Sequence, residues 1–248
     1  VIFVGILNIL RHHPDEATRL DNRAEMYIRQ GQYSMAEPLF IRSLEIREHA
    51  YFPNYVKISH SLNNLGDIYR QQEQYAKAAP LYKRSLDIGE KYLGPDNPAV
   101  AQSLNNLALI YGNQGHYVQA LLYNKRSLAI REKTLGPDSP LVAQSLNNLA
   151  LIYGKQGHYM EALRLSNRSL AIWEKTYGPK HPIVALGLDS LASLYKSNGQ
   201  YAKAESLYIR SLEIKEKSLG PGHHEVASTL FGLSDLYWIE GHYDKALP

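Results

Sequence analysis

Residues 103–112 read SLNNLALIYG, and residues 145–154 read SLNNLALIYG again, letter for letter, 42 positions later. Leu104, Leu107, Ala108 and Tyr111 fall at i, i+3, i+4 and i+7, which is one face of an α-helix. Each copy nevertheless carries an asparagine pair, Asn105–Asn106 and Asn147–Asn148. Asparagine is a poor helix former because its amide competes for nearby backbone groups. An Asn pair that returns at one phase of an apolar helix must be held there by the repeat.

A shift of 42 residues aligns nearly everything after residue 12. The units are 19–60, 61–102, 103–144, 145–186 and 187–228, with a partial unit at 229–248. The third and fourth units agree at 29 of 42 positions. Residues 12–20, HHPDEATRL, match the end of a unit at Pro14, Ala17 and Leu20. Residues 1–18 are therefore expected to be the tail of a preceding repeat or a non-native segment, and DKALP at the other end stops inside a unit. The expectation is a single array over 19–248, cut from a longer one.

Each unit reads as two helices, A and B. In the third, the pattern of helix A stops at Gly115, which suits a left-handed position after a helix end. Helix B begins near His116–Tyr117, buries Ala120, Tyr123, Ser127, Leu128 and Ile130, and ends at Gly136–Pro137. Ser139–Pro140 then gives a capping side chain and a proline at the first helical position. Similar punctuation recurs at Gly94, Asn97 and Pro98, and at Gly178, His181 and Pro182. No strand pattern appears. A single helical hairpin cannot cover its own apolar face, whereas stacked hairpins can. The predicted fold is all-α, a right-handed solenoid with a continuous core.

Leu-Ala/Gly-x-x-Tyr in helix A, Gly-x-Tyr at the turn, Ala three residues on, and an aromatic then Ser in helix B resemble the tetratricopeptide repeat. The 42-residue period and long helix B resemble the kinesin light chain branch and its relatives, bacterial ones included, over about residues 12–248. That resemblance implies a right-handed superhelix of stacked antiparallel helix pairs and a peptide- or protein-binding scaffold without catalysis. The chain departs from the pattern at Asn124 and Ser166, where helix B often carries an aromatic as at Phe40, Tyr82 and Tyr208. It departs also at Arg23, in place of leucine, and at Glu73, in place of the turn glycine.

With Leu104, Leu107, Ala108 and Tyr111 facing helix B, steps of about 100° place a neighbouring stripe of helix A. In tetratricopeptide arrays that stripe lines the concave groove. The expected groove residues are Asn63, Asn64, Arg70, Gln102, Asn105, Asn106, Leu109, Gln144, Asn147, Asn148, Leu151, Lys155 and Lys196. Asp21, Asn22, Glu25, His60, Asp67, Asp189, Ser190, Ser193, Phe231, Asp235 and Trp238 continue the rows. A carboxamide offers donors and an acceptor, so a ladder of them can hold an extended backbone regardless of its sequence. The alternative is that one Asn of each pair bonds a neighbouring repeat, a role that fits the second (Asn64, Asn106, Asn148) better than the first. Kinesin light chain grooves are associated with tryptophan-acidic peptides, but Asp21, Glu25, Asp67, Asp189 and Asp235 oppose such a ligand here.

The other residues point away from chemistry. Net charge is +3 with the charges scattered, so no block calls for nucleic acid. Twelve of the 19 tyrosines occupy two phased positions, which argues for packing rather than base stacking. Arg42, Arg84, Arg126, Arg168 and Arg210 recur with glutamates six residues on, which argues for charge pairing rather than a phosphate track. His12–His13 and His223–His224 lack the i, i+4 spacing of two helical metal ligands, and His116, His158 and His242 lie a repeat or more apart. Cysteine is absent, and no phosphate-loop, dinucleotide, nucleophile-elbow or metalloprotease motif occurs. The expectation is no enzyme, no cofactor, no metal, no nucleic acid and no membrane span, in the cytoplasm, with a protein or peptide partner. Two further readings are self-association through the apolar start VIFVGILNIL and a regulatory sensor domain of a larger signalling protein.

Overall fold

The computed structural model describes residues 2–246, with side chains from Glu16 onward. The side chains of VIFVGILNIL and of His12–His13 lie outside the described residues. Two compact units divide the chain, residues 1–130 and 131–248. Unit one holds α1 (Ile2–Arg29), α2 (Tyr33–Glu48), α3 (Tyr55–Gln71), α4 (Tyr75–Ile88, continued by a π-helical turn Gly89–Leu93), α5 (Pro98–Asn113) and most of α6 (Tyr117–Leu135). Unit two holds the last turn of α6, then α7 (Pro140–Lys155), α8 (Tyr159–Tyr177), α9 (Pro182–Ser197), α10 (Tyr201–Leu219), α11 (His224–Glu240) and the short α12 (Tyr243–Ala246). No strand occurs among the described residues, and no helix there is long and apolar enough to cross a membrane.

Helices pair in sequence order. In unit one α1 packs on α2, α3 on α4, and each second helix on the next first helix. In unit two α7–α8 and α9–α10 are the hairpins, and α8–α9 and α10–α11 join them. The column Leu62, Leu104, Leu146 and Leu188 is fully buried between first and second helices. Alanines of the second helices (Ala36, Ala78, Ala120, Ala162, Ala204) are buried where backbones approach.

Local chemistry sets the boundaries. Asn97 Oδ1 accepts the Ala99 N–H at 2.9 Å, and Ser139 Oγ accepts the Leu141 N–H, each ahead of a proline at the first helical position. His181, also ahead of a proline, and His223, ahead of His224, cap their helices through ring Nδ1, both at 3.2 Å. The turns inside the hairpins need a positive φ, supplied by glycine at 31, 115, 157, 199 and 241. Glu73 takes that place in α3–α4 with φ of 58°.

A serine of the second helices α4, α6, α8 and α10 fastens the hairpin. Ser127 Oγ donates to the Ala101 carbonyl, Ser169 to Ala143 and Ser211 to Ala185, at 2.7, 2.7 and 3.0 Å. Ser85 makes the matching bond to Ser59 at 3.0 Å. Four of the recurring arginines pair with glutamates, each with one from the preceding hairpin. Arg84 meets Glu48 and Arg126 meets Glu90 in unit one; Arg168 meets Glu132 and Arg210 meets Glu174 in unit two. Residues six apart point to different sides of one helix, so each arginine reaches the second helix of the preceding hairpin instead. At this exposure each pair contributes about 0–1 kcal/mol.

Glu73→Gly removes the one non-glycine side chain held at positive φ among the described residues. It is expected to raise stability by about 1 kcal/mol in chemical denaturation; an unchanged or lowered midpoint would show that the turn carries no strain.

Candidate functional site

First helices present two kinds of polar side chain, and the pairs Asn63–Asn64 and Asn147–Asn148 divide between them, while Asn105–Asn106 is buried as a whole. The first Asn turns inward. Asn63 Nδ2 shares its two hydrogens among the Ser59 carbonyl at 2.9 Å, Ser85 Oγ at 2.7 Å and Ser103 Oγ at 3.1 Å. Its Oδ1 accepts from Asn106 Nδ2 at 3.3 Å, so one amide joins α3, α4 and α5. Asn105 and Asn147 are equally buried. Asn106 is buried too, held from its own helix by Gln102 Nε2 at 3.0 Å. The structure therefore corrects the groove assignment for Asn63, Asn105, Asn106 and Asn147. With at most 5% of their surface exposed, they have none to offer a partner.

The inward column explains a second one. Where the first Asn is replaced by aspartate, a buried cation from the same hairpin's second helix meets it. Asp21 pairs with Arg47 at 2.5 Å, and Asp189 with Lys215 at 2.6 Å. Each cation also reaches the hydroxyl that opens the next repeat, Arg47 to Ser61 and Lys215 to Thr229. Arg131, at the corresponding position, donates to the Leu141 carbonyl and to Ser145 Oγ, both at 2.9 Å. Burial holds the Arg131 guanidinium down at about 10. Gly89 and Trp173 occupy the same column in the other two hairpins, and Trp173 is buried beside Gly187.

What stays outward is a narrower strip. Residues spaced as 102, 106, 109 and 113 fall within about 60° of helix surface. In unit one the strip carries His60, Asn64, Asp67 and Gln71 on α3, then Gln102, Leu109 and Asn113 on α5. In unit two it carries Gln144, Asn148, Leu151 and Lys155 on α7, Leu186 and Ser193 on α9, and Asp235 on α11. Leu151 and Leu186 are 37% and 49% exposed. The sequence reading omitted Leu186, although its 42-residue spacing from Gln144 marks it as a strip position. The remaining expected residues, Asn64, Arg70, Gln102, Leu109, Gln144, Asn148, Leu151, Lys155 and Lys196, are all at least partly at the surface.

Several of those are already engaged: Gln102 donates to Asn106, Gln144 Oε1 accepts from Arg131 at 3.1 Å, and the cations Arg70 and Lys196 are paired. Arg70 pairs with Asp67 at 3.3 Å, and Lys196 with Asp235 at 2.5 Å. The Tyr82 hydroxyl, rising from α4, donates to the same Asp67 at 2.7 Å. Tyr69 donates to Glu37 and Tyr237 to Glu205 at 2.7 and 2.6 Å. The Tyr69 hydroxyl is pushed up to about 12, by burial first and Glu37 second. Tyr237 is pushed up to about 12, by its bond to Glu205 first and burial second.

Unit two also exposes an apolar face on α11. Leu230, Phe231, Leu233 and Tyr237, with Ala246 of α12, line an open pocket of about 340 Å³, and Trp238 stands exposed nearby. His223, His224 and Glu225 bring possible ligand atoms within 4.8 Å of one another. His223 Nδ1, however, already caps α11, and the Glu225 carboxylate lies 3.8 Å from Lys215 Nζ. A cation there would displace the cap and face the positive end of the helix, which speaks against a metal centre.

Antiparallel helix pairs repeating every 42 residues, packed through small residues and a helix-B serine, define an all-α helical-repeat protein. The family model for the tetratricopeptide repeat matches residues 15–90, 57–133, 123–165, 141–217 and 185–248, and the chain belongs to that family. Its repeats are similar to those of proteins of the kinesin light chain type. Among solved structures, BtubC (BKLC) from P. vanneervenii is similar at 23% identity and a TM-score of 0.68, over 88% of this chain and 91% of that one. The nearly identical TPR-like repeats of a Podosopora anserina protein of kinesin light chain type match at 26% identity and a TM-score of 0.66, over 84% and 98%. A Rap protein complexed with competence and sporulation factor matches at 18% identity and a TM-score of 0.71, over 93% and 72%. Comparison with curated proteins gives no match.

Asn63→Ala is expected to cost about 1–3 kcal/mol, because the Ser85 and Ser103 hydroxyls and the Asn106 amide lose a buried partner. A denaturation midpoint equal to the parent's would refute the fastening role of the inward Asn. Alkaline titration gives a second check. The raised folded values of Tyr69 and Tyr237 stabilise the protein fully below the ordinary tyrosine value near 10. That stability is lost as pH rises through about 12. Tyrosinate absorbance should therefore lag behind that of the unfolded chain between these limits, and Glu37→Gln with Glu205→Gln should shorten the lag.

Proposed function

We propose that the chain is a non-catalytic protein-interaction scaffold that holds a peptide or unstructured partner segment along the outward strips of its first helices. The observation that carries this reading is the chemistry of the strips. In unit two Gln144 and Asn148 share the strip with the exposed Leu151 and Leu186; in unit one Asn64 and Gln102 share it with Leu109. An extended segment needs both, amides for its backbone and apolar surface for alternate side chains. Each hydrogen bond contributes about 0.5–1.5 kcal/mol net, so several hairpins must act together.

Two facts support the reading from outside the strips. The Rap protein of similar fold was crystallised with competence and sporulation factor. The sequence also carries no nucleophile elbow, phosphate loop or metalloprotease motif, so the scaffold role needs no cofactor. A cytoplasmic setting fits a chain without cysteine.

The test is a peptide-array screen with the purified chain, repeated with Leu151→Asp and Leu186→Asp. Each substitution places a charge on solvent-facing surface, so thermal stability should hold. Binding of the best peptides should fall by about tenfold or more, as truncating an apolar anchor does. Binding unchanged in both variants would remove the strip as the binding surface.

A further inference from the structure

The strips carry a charge arrangement that narrows the class of partner. This inference rests on the scaffold reading above. Arg70 and Lys196 stand at the same repeat position, 126 residues apart, at the edge of the strips of α3 and α9. Each is met by a carboxylate from one further position, the one occupied by Asp67 and Asp235. Arg70 Nε lies 3.3 Å from Asp67 Oδ1, and Lys196 Nζ lies 2.5 Å from Asp235 Oδ2. The two bridges are built differently. Asp67 lies on the same helix as Arg70, three residues before it, and Asp235 comes from α11 of the next repeat, yet both leave the cation neutralised.

Both cations are mostly buried, with side-chain exposures of 25% for Arg70 and 17% for Lys196, while their carboxylates are 38% and 43% exposed. An incoming acidic side chain therefore meets the carboxylate before the cation. It would have to expel Asp67 or Asp235, and expulsion leaves a carboxylate beside the ligand's own. A basic side chain would compete with a short internal pair for the same oxygen. Lys155, the remaining cation among the expected strip residues, is exposed in the last turn of α7, close to the negative end of that helix.

We propose that a partner segment is uncharged where it meets either position, presenting apolar and amide side chains, and that Asp67 in unit one and Asp235 in unit two set this preference by occupying the cation an acidic peptide would use. Binding is then carried within each unit by its own strip, Leu109 with the amides of unit one or Leu151 and Leu186 with the amides of unit two. It should be nearly independent of ionic strength, since no ligand charge is engaged.

The experiment uses the full chain and matched peptides, derived from the best array binder, that differ only in carrying glutamate, glutamine or lysine at each position in turn. Affinities are read by fluorescence anisotropy at low and high salt. Glutamine peptides should bind the parent about tenfold tighter than glutamate peptides, with no salt dependence. Asp235→Asn, which frees Lys196, should raise the affinity of at least one glutamate peptide by about tenfold, make that gain salt-sensitive, and leave the glutamine peptides unchanged. Lys196→Gln should favour lysine peptides instead. If Asp235→Asn fails to fold by circular dichroism, Asp67→Asn makes the same test at Arg70. Glutamate peptides that bind the parent as tightly as glutamine peptides overturn the charge inference alone, as does a folded aspartate variant that gains nothing. An array in which nothing binds overturns the scaffold reading, and the charge inference with it.

Discussion

Two helices packed as a hairpin leave apolar surface that only another hairpin can cover, and every recurring position in this chain answers that constraint. The leucines of the first helices fill the hairpin interior, and the alanines of the second helices let backbones approach. The helix-B serines spend their hydroxyls on first-helix carbonyls, so hairpins are closed by hydrogen bonds as well as by packing. Aromatic side chains then take whatever space remains. A Cβ added at Gly66 would stand 2.6 Å from the Tyr82 ring, so that tyrosine and that glycine require each other.

Burying a polar group is costly unless it is hydrogen-bonded, and the joints between hairpins are nonetheless polar. Asn63 with three serines and Asn106, Asp21 with Arg47, and Asp189 with Lys215 and Thr229 are different solutions to one geometric problem. Both aspartates have a cation 26 residues later, whereas the asparagines Asn63, Asn105 and Asn147 are followed at that distance by Gly89, Arg131 and Trp173. Such joints bring specificity of alignment at modest net energy, because breaking one strands its partner.

The period, the hairpins and the turn chemistry were legible because each is encoded by residues close in sequence: Gly115, Ser139–Pro140 and the leucine face of 104–111. Glu73 stood out for the same reason. The direction of each asparagine was not legible. The first Asn lies at the boundary of the buried face, and whether it turns in depends on residues such as Ser85 and Ser103, 22 and 40 positions away. The arginine–glutamate pairing was anticipated, but its partner lay in the preceding hairpin. Leu186 was missed because a glutamine occupies that column in the two preceding units. The charges of Arg70 and Lys196 were visible, whereas their neutralisation required knowing where Asp67 and Asp235 point.

The reach of these contacts has a kinetic meaning. The Asn106–Asn63 and Thr229–Asp189 bonds span 43 and 40 residues, about one period. A chain whose contacts close loops of that size pays loop-closure entropy in small instalments, and can begin folding at any hairpin and extend from there. Damage follows the same rule. Loss of one joint frays the neighbours it touches, and within each unit melting proceeds hairpin by hairpin rather than through one collapse of a shared centre.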